Sequence, residues 1–152
     1  MSTRALREGT DGTLLERLAE AGFLASECGM HARAEEMLSD LVAARPEIAA
    51  SSAVLAIVRA RSGQLERAID ELREFVDGRS DADIATAVLG MLMVQAGRAE
   101  AATFLRQVIE RDGDSRAVGI ANACLALVEG EESAVREHGD SDEFSRHMNL
   151  RP

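Results

Sequence analysis

The sequence predicts an all-α fold of antiparallel helix pairs, on three observations. Glycines recur at 29, 63, 97 and 130, at spacings of 34, 34 and 33 residues. A small residue (Gly22, Ala56, Gly90, Ala123) stands seven places before each of them, and an alanine (Ala34, Ala68, Ala102) stands five places after the first three. The segments between follow a helical period, and 46% of the residues are hydrophobic while only 3% are aromatic. Alanine and leucine therefore carry most of the apolar surface, and they favour closely packed helices over sheets. A fixed period of this length marks a repeat array, in which each unit buries its apolar face against the next.

Taken in order, residues 1–12 are expected to be a flexible N-terminus. Thr13 and Glu16 read as a capping box that opens the first helix. The first pair is expected over 13–44. Gly22 lets its two helices approach, Gly29 closes the first helix, and Ala34, Met37, Leu38, Leu41 and Val42 form one face of the second. Pro46 ends that unit.

A second pair is expected over 47–77, where Leu65, Ala68, Ile69, Leu72, Phe75 and Val76 share one helix face. The stretch GRSD at 78–81 breaks the chain, and a third pair follows over 81–111. In that pair Arg106 falls where an apolar partner of Ala102 is expected. A fourth, shorter pair is expected over 115–138, with Gly130 as its turn and Val135 in the place of the alanine. The repeats make one domain, 13–138. A polar C-terminal tail, 139–152, carries one short helix at 143–148.

The period and its small residues resemble the tetratricopeptide repeat, whose pattern runs Trp-x2-Leu-Gly-x2-Tyr, then Ala-x3-Phe, then Pro. The first part appears as Ala21-Gly22-x2-Ala25, Leu55-Ala56-x2-Arg59 and Leu89-Gly90-x2-Met93. The second appears as Ala34-x3-Leu38 and Ala68-x3-Leu72, and Pro46 sits at the repeat-ending proline. Leu18, Ser52, Thr86 and Gly119 occupy the aromatic places. The resemblance covers residues 15–138 and implies a right-handed superhelix, an α-solenoid of three to four repeats.

In such arrays the first helix of each pair lines a concave binding face. The resemblance implies that Phe23, Ile57, Met91 and Cys124 face it, with Ser26, Ala60, Val94 and Leu127, and with Ala19, Ala53, Ala87 and Ile120. That row is apolar. It lacks the Lys, Arg and Asn cradle with which members of the family clamp a chaperone's C-terminal carboxylate. The partner-binding set expected is therefore Phe23, Ala53, Ile57, Ala60, Ala87, Met91, Val94, Ile120 and Leu127, with Glu27, Arg61 and Gln95 at the rim. An apolar groove of this kind suits an amphipathic helix or an apolar segment of a client protein.

Two segments, Ala53–Ala60 and Ile84–Val94, are apolar around nearly the whole helix, more than a two-layer array covers. The alternative is a structural module that fills its own groove or buries it in a homodimer. Residues 38–75 also look like the small acidic tetratricopeptide chaperones of bacterial type III secretion systems, which hold an aggregation-prone helix of a client. That likeness implies a cytoplasmic chaperone or adaptor.

The remaining features narrow the function classes. The net charge of −10 without a basic cluster argues against nucleic acid as a partner. No signal-peptide core precedes residue 18, and the longest apolar run, 84–94, is too short to span a bilayer, so a cytoplasmic location is expected. Cys28 and Cys124 stand far apart, without metal or disulfide spacing. No phosphate loop, HExxH or GxSxG motif is present, so no enzyme activity and no cofactor are expected. His138 and His147, beside Asp140, Asp142 and Glu143, match no standard metal spacing. DGDS at 112–115 has Ala123 where a calcium loop needs its last glutamate.

Overall fold

A computed structural model of the chain describes residues 17–130. Among them run seven helices and no strand: α1 (17–27), α2 (His31–Ala44), α3 (Ala49–Arg61), α4 (Leu65–Val76), α5 (Asp83–Gln95), α6 (Ala101–Arg111) and α7 (115–130). The Thr13–Glu16 capping box lies outside the described residues. So do residues 1–12, expected to be flexible, Val135, the His138/His147 group, the helix expected at 143–148 and the expected tail.

The period is written into the turns. Helices α1, α3 and α5 end at residues 27, 61 and 95, and all three end the same way. The N–H of Gly29, Gly63 or Gly97 donates to the carbonyl three residues back. The next N–H donates to the carbonyl five residues back, on Ala25, Arg59 or Met93. This double closure needs a left-handed residue, and the three glycines have φ of 79°, 89° and 67°.

The small residues set how closely paired helices approach. A Cβ added to Gly22 would lie 2.8 Å from Leu38 Cγ, and one added to Gly90 would lie 2.5 Å from Leu105 Cδ2. Ala56, Ala34 and Ala68 are buried at the equivalent places.

Two expectations need correction. In the third pair the buried residues are Ala101 and Leu105, while Arg106 is exposed and Ala102 half-buried. The N–H of Ala101 bonds to the carbonyl of Arg98 at 3.1 Å, a tight turn that shifts α6 by one residue. Ala101 and Leu105 thus stand where Ala34 and Leu38 stand in the first pair, and the misplaced arginine disappears.

In the fourth unit Gly130 lies in the helical run of α7, without the positive φ of the turn glycines, and Ala123 is exposed. The buried residues of α7 are Ala117, Ala121, Cys124 and Leu125, each 32 residues after Ala85, Leu89, Leu92 and Met93 of α5. The shorter spacing comes from the connections. Three residues link α6 to α7, against six between α4 and α5. Asp112 closes α6 in the left-handed region at φ 47°, and Asp114 caps α7 by accepting from the N–H of Arg116 at 2.9 Å.

The core is a chain of three clusters. One joins α1, α2 and α3, the next joins α3, α4 and α5 with the first turn of α6, and the last joins α5, α6 and α7. Each helix from α2 to α6 packs on its neighbour in sequence, and α3 also packs on α5. The apolar circumference of α3 and α5 is consumed by this arrangement. Each belongs to two clusters, so Ala53, Ala56, Val58, Ala85, Leu89, Leu92 and Met93 are all buried. Width of the apolar surface on these helices therefore reflects double-sided packing, and it does not by itself mark a groove.

A polar cluster ties α2, α3 and α4. Arg59, 13% exposed in its side chain, pairs with Glu35 at 3.0 Å and with Glu71, and lies 3.5 Å from Ser39 Oγ. Gln64 Nε2 donates to Glu35 at 3.1 Å. The hydrogen bond from Arg59 holds the Glu35 carboxyl below its ordinary pKa. Burial opposes this, and Gln64 and Arg67 add to the lowering. Asp114 is lowered too, first by the N–H of Arg116 and also by that of Ala117.

A carboxyl that binds its proton more weakly in the fold stabilises the fold once ionised. That stability is complete above the unfolded-state pKa, about 4, and is lost as pH falls through the lowered folded values. Urea midpoints should therefore hold near neutral pH and fall below about pH 4. The fall should shrink when Glu35→Gln and Asp114→Asn are combined. An unchanged acid limb in that double variant would remove these two groups as its cause.

Candidate functional site

The candidate site lies at the first of the described helices. The first helix of each pair carries a row at positions 23, 57 and 91: Phe23, Ile57 and Met91, all half-buried. One turn away stand Glu20, Val54 and Val88, and beyond the row stand Glu27, Arg61 and Gln95. Over α1 and α3 this surface opens into a cavity of about 520 Å³. Its lining is Ala19, Glu20, Phe23 and Leu24 from α1, Ala50 and Val54 from α3, and Arg116 from the start of α7. Five of the seven are apolar. Leu24 is 62% exposed, a large apolar side chain without cover.

Polar groups stand at the margins. The Arg61 guanidinium lies 5.2 Å from the centroid of the Phe23 ring and pairs with Glu27, which fixes the rim. Arg116 Nε lies 3.6 Å from Asp114. An apolar hollow with a few charges at its edge fits the general form of a binding pocket, and its volume falls in the usual range.

The expected site residues divide into four groups. Phe23 lines the cavity. Ile57, Met91, Val94 and Ile120 are half-buried and pack against the core clusters with part of their surface. Ala53, Ala60 and Ala87 are buried in the core. They offer no surface to a partner and act as spacers between helices. Leu127 is 65% exposed on α7, away from the residues that line the cavity. Cys124, Ser26 and Ala19, which share the implied row, are buried, although Ala19 keeps an edge on the cavity.

Reasoning from the sequence missed Leu24, Ala50 and Val54. The signal for Leu24 was available in the period. Its equivalents Val58 and Leu92 are buried because a preceding helix pair covers them. No earlier pair stands before α1 among the described residues, so the same position becomes surface there.

Groups with chemical potential are few. Ser26 Oγ and His31 Nδ1 are 2.9 Å apart, but Ser26 is buried, so the contact satisfies two polar groups at the first turn and presents no nucleophile. Burial raises the pKa of the Cys124 thiol, which keeps it in its unreactive form. Among the described residues no cluster of three His, Cys, Asp or Glu side chains is placed to hold a metal ion, and no helix is long and apolar enough to cross a membrane. No protein-family model matches the chain, and a search of curated proteins finds no relative.

Proposed function

We propose that this chain is a non-enzymatic binding module of tetratricopeptide type, which holds an apolar or amphipathic segment of a client protein against α1 and α3. The observation that carries the reading is the cavity beside Phe23, with Leu24 left uncovered at its wall. Two further features support it. The ends of α1, α3 and α5 and their closures repeat every 34 residues, and α3 and α5 each pack on both neighbours, as expected of stacked helix pairs. In its most specific form the reading makes the protein a cytoplasmic chaperone of a bacterial type III secretion subunit.

The test is capture of a client from the protein's own cells, with Leu24→Glu and Val54→Glu beside the wild type. An exposed position such as 24 tolerates a charge within about 0.5 kcal/mol of stability, so helix content by circular dichroism should hold for Leu24→Glu. A polypeptide retained by the wild type and lost by Leu24→Glu supports the reading and identifies the client. Recovery of the protein alone as a dimer, broken by Leu127→Glu and not by Leu24→Glu, would replace it with a self-associating module. The exposure of Leu127 is the observation that favours that second reading.

A further inference from the structure

Two of the core clusters meet without closing completely. Helices α2 and α4 both pack on α3, and between them lies a cavity of about 130 Å³. Val42 and Leu55 line it from the first cluster, Leu72 and Phe75 from the second. Leu55 and Leu72 are buried, and Val42 and Phe75 are half-buried, with Arg79 over the Phe75 ring at 4.3 Å. A dry apolar cavity of about 150 Å³ takes benzene, so the space here is that of one ring. The next joint accounts for this size. Phe104 stands where Glu71 stands, and its ring packs on the cluster that holds Leu72 and Met93. The second pair has no ring at that place, because Glu71 is drawn to Arg59 and Arg67.

One polar group in the lining is left over. Ser52 is 9% exposed, and its Oγ is buried without a hydrogen-bond partner among the described residues. Thr86, 34 residues further on, donates its hydroxyl to the carbonyl of Ala82 at 2.9 Å. The corresponding acceptor for Ser52 is Ile48, but the first turn of α3 is slack there. The Ser52 N–H stands 3.5 Å from the Ile48 carbonyl, against 2.8 Å between Thr86 and Ala82. A buried hydroxyl without a partner is costly, so a ligand that offers one is favoured. The charged residues of the lining, Arg59 and Glu71, pair with each other, so the cavity calls for no counterion.

We propose that the cavity between α2 and α4 binds a small neutral molecule of one ring that bears one hydrogen-bonding group. The ring lies against Leu55, Leu72 and Phe75, and the polar group shares a hydrogen bond with Ser52 Oγ. The site is independent of the cavity at α1 and α3, with which it has no lining residue in common.

The probes are phenol and toluene, each titrated into the full chain and followed in methyl proton–carbon NMR spectra. Phenol should shift the methyls of Leu55 and Leu72 to saturation and leave those of Leu24 and Leu127 in place. Ser52→Ala keeps the cavity and removes its hydroxyl. It should weaken phenol about fivefold relative to toluene, the worth of one net hydrogen bond. Glu35→Ile/Arg59→Met/Glu71→Phe, which brings the ring of the next joint to this one, should bind neither probe. Shifts that do not saturate, or that fall on Leu24 instead of Leu55 and Leu72, would overturn the proposal. An unchanged ratio of phenol to toluene affinity in Ser52→Ala would overturn it too, as would phenol binding that survives in the triple variant.

Discussion

Replacing Gly90 with leucine should destabilise the protein by about 3 kcal/mol, read as a lower urea midpoint by circular dichroism. Even the first added atom has no room. A Cβ on Gly90 stands 2.5 Å from Leu105 Cδ2 and 2.7 Å from its Cγ. Leu105 cannot swing away cheaply, since it is fully buried and shares a cluster with Ala87, Val108 and Ala121. The backbone of α5 cannot retreat either, because α3 and α4 hold its other side. The repeat supplies an internal control: Ala56 fills the same position in the second pair, against Leu72, so one methyl is tolerable once the partner is set for it. Leu105 is not set for it in the third pair, so Gly90→Ala should still cost about 2 kcal/mol, less than the leucine. Adding Leu105→Ala to Gly90→Leu should return part of the loss, because the two residues share one space. Strict additivity of the two costs would show that the joint is not where the strain sits.

The same joint shows what a repeat makes legible. Small residues at 22, 56 and 90 and turn glycines at 29, 63 and 97 recur because each performs one geometric task, and both tasks are visible in residue type alone. Helix facing is different. Helices α3 and α5 are packed on two sides, so no polar stripe marks which positions look outward. The row of alanines at 19, 53 and 87 recurs as faithfully as the row at 23, 57 and 91, yet the first is buried as a spacer and the second reaches the surface. Recurrence identifies equivalent positions without saying which direction they face.

End effects were hidden for another reason. Leu24 is uncovered only because α1 opens the described array, and the sequence of α1 looks like that of α3 and α5. Local insertions and deletions set the remaining misses. Arg106 looked misplaced because one residue drops out of the turn at 98–100. In α7 the glycine at 130 kept the period while the connection before it lost residues, so the packing register moved by two and the glycine fell inside a helix. Spacing between marker residues survives such changes less well than the buried pattern itself.

Removing Arg59 alone should cost about 3 kcal/mol, while replacing its whole cluster should cost little or nothing. Arg59→Ala leaves Glu35, only 22% exposed in its side chain, beside an empty space without its cation. Gln64 still donates to Glu35 at 3.1 Å and Arg67 remains 3.8 Å away, but neither replaces the charged hydrogen bond from Arg59. A carboxylate that loses its hydrogen-bonded cation at that depth is expensive, which is why breaking one member of such a pair hurts more than the pair itself contributes.

The next repeat shows the apolar solution to the same joint. Met93 stands where Arg59 stands, Ile69 where Glu35 stands and Phe104 where Glu71 stands, and the three belong to one cluster with Met93 fully buried. The triple variant Glu35→Ile, Arg59→Met, Glu71→Phe should therefore equal or exceed the wild type in urea unfolding at neutral pH. It should also lose the part of the acid limb that Glu35 contributes, because the carboxyl whose pKa was lowered is gone. A triple variant as unstable as Arg59→Ala would mean that the two joints differ in backbone shape as well as in side chains, and the equivalence of the repeats would fail at this point.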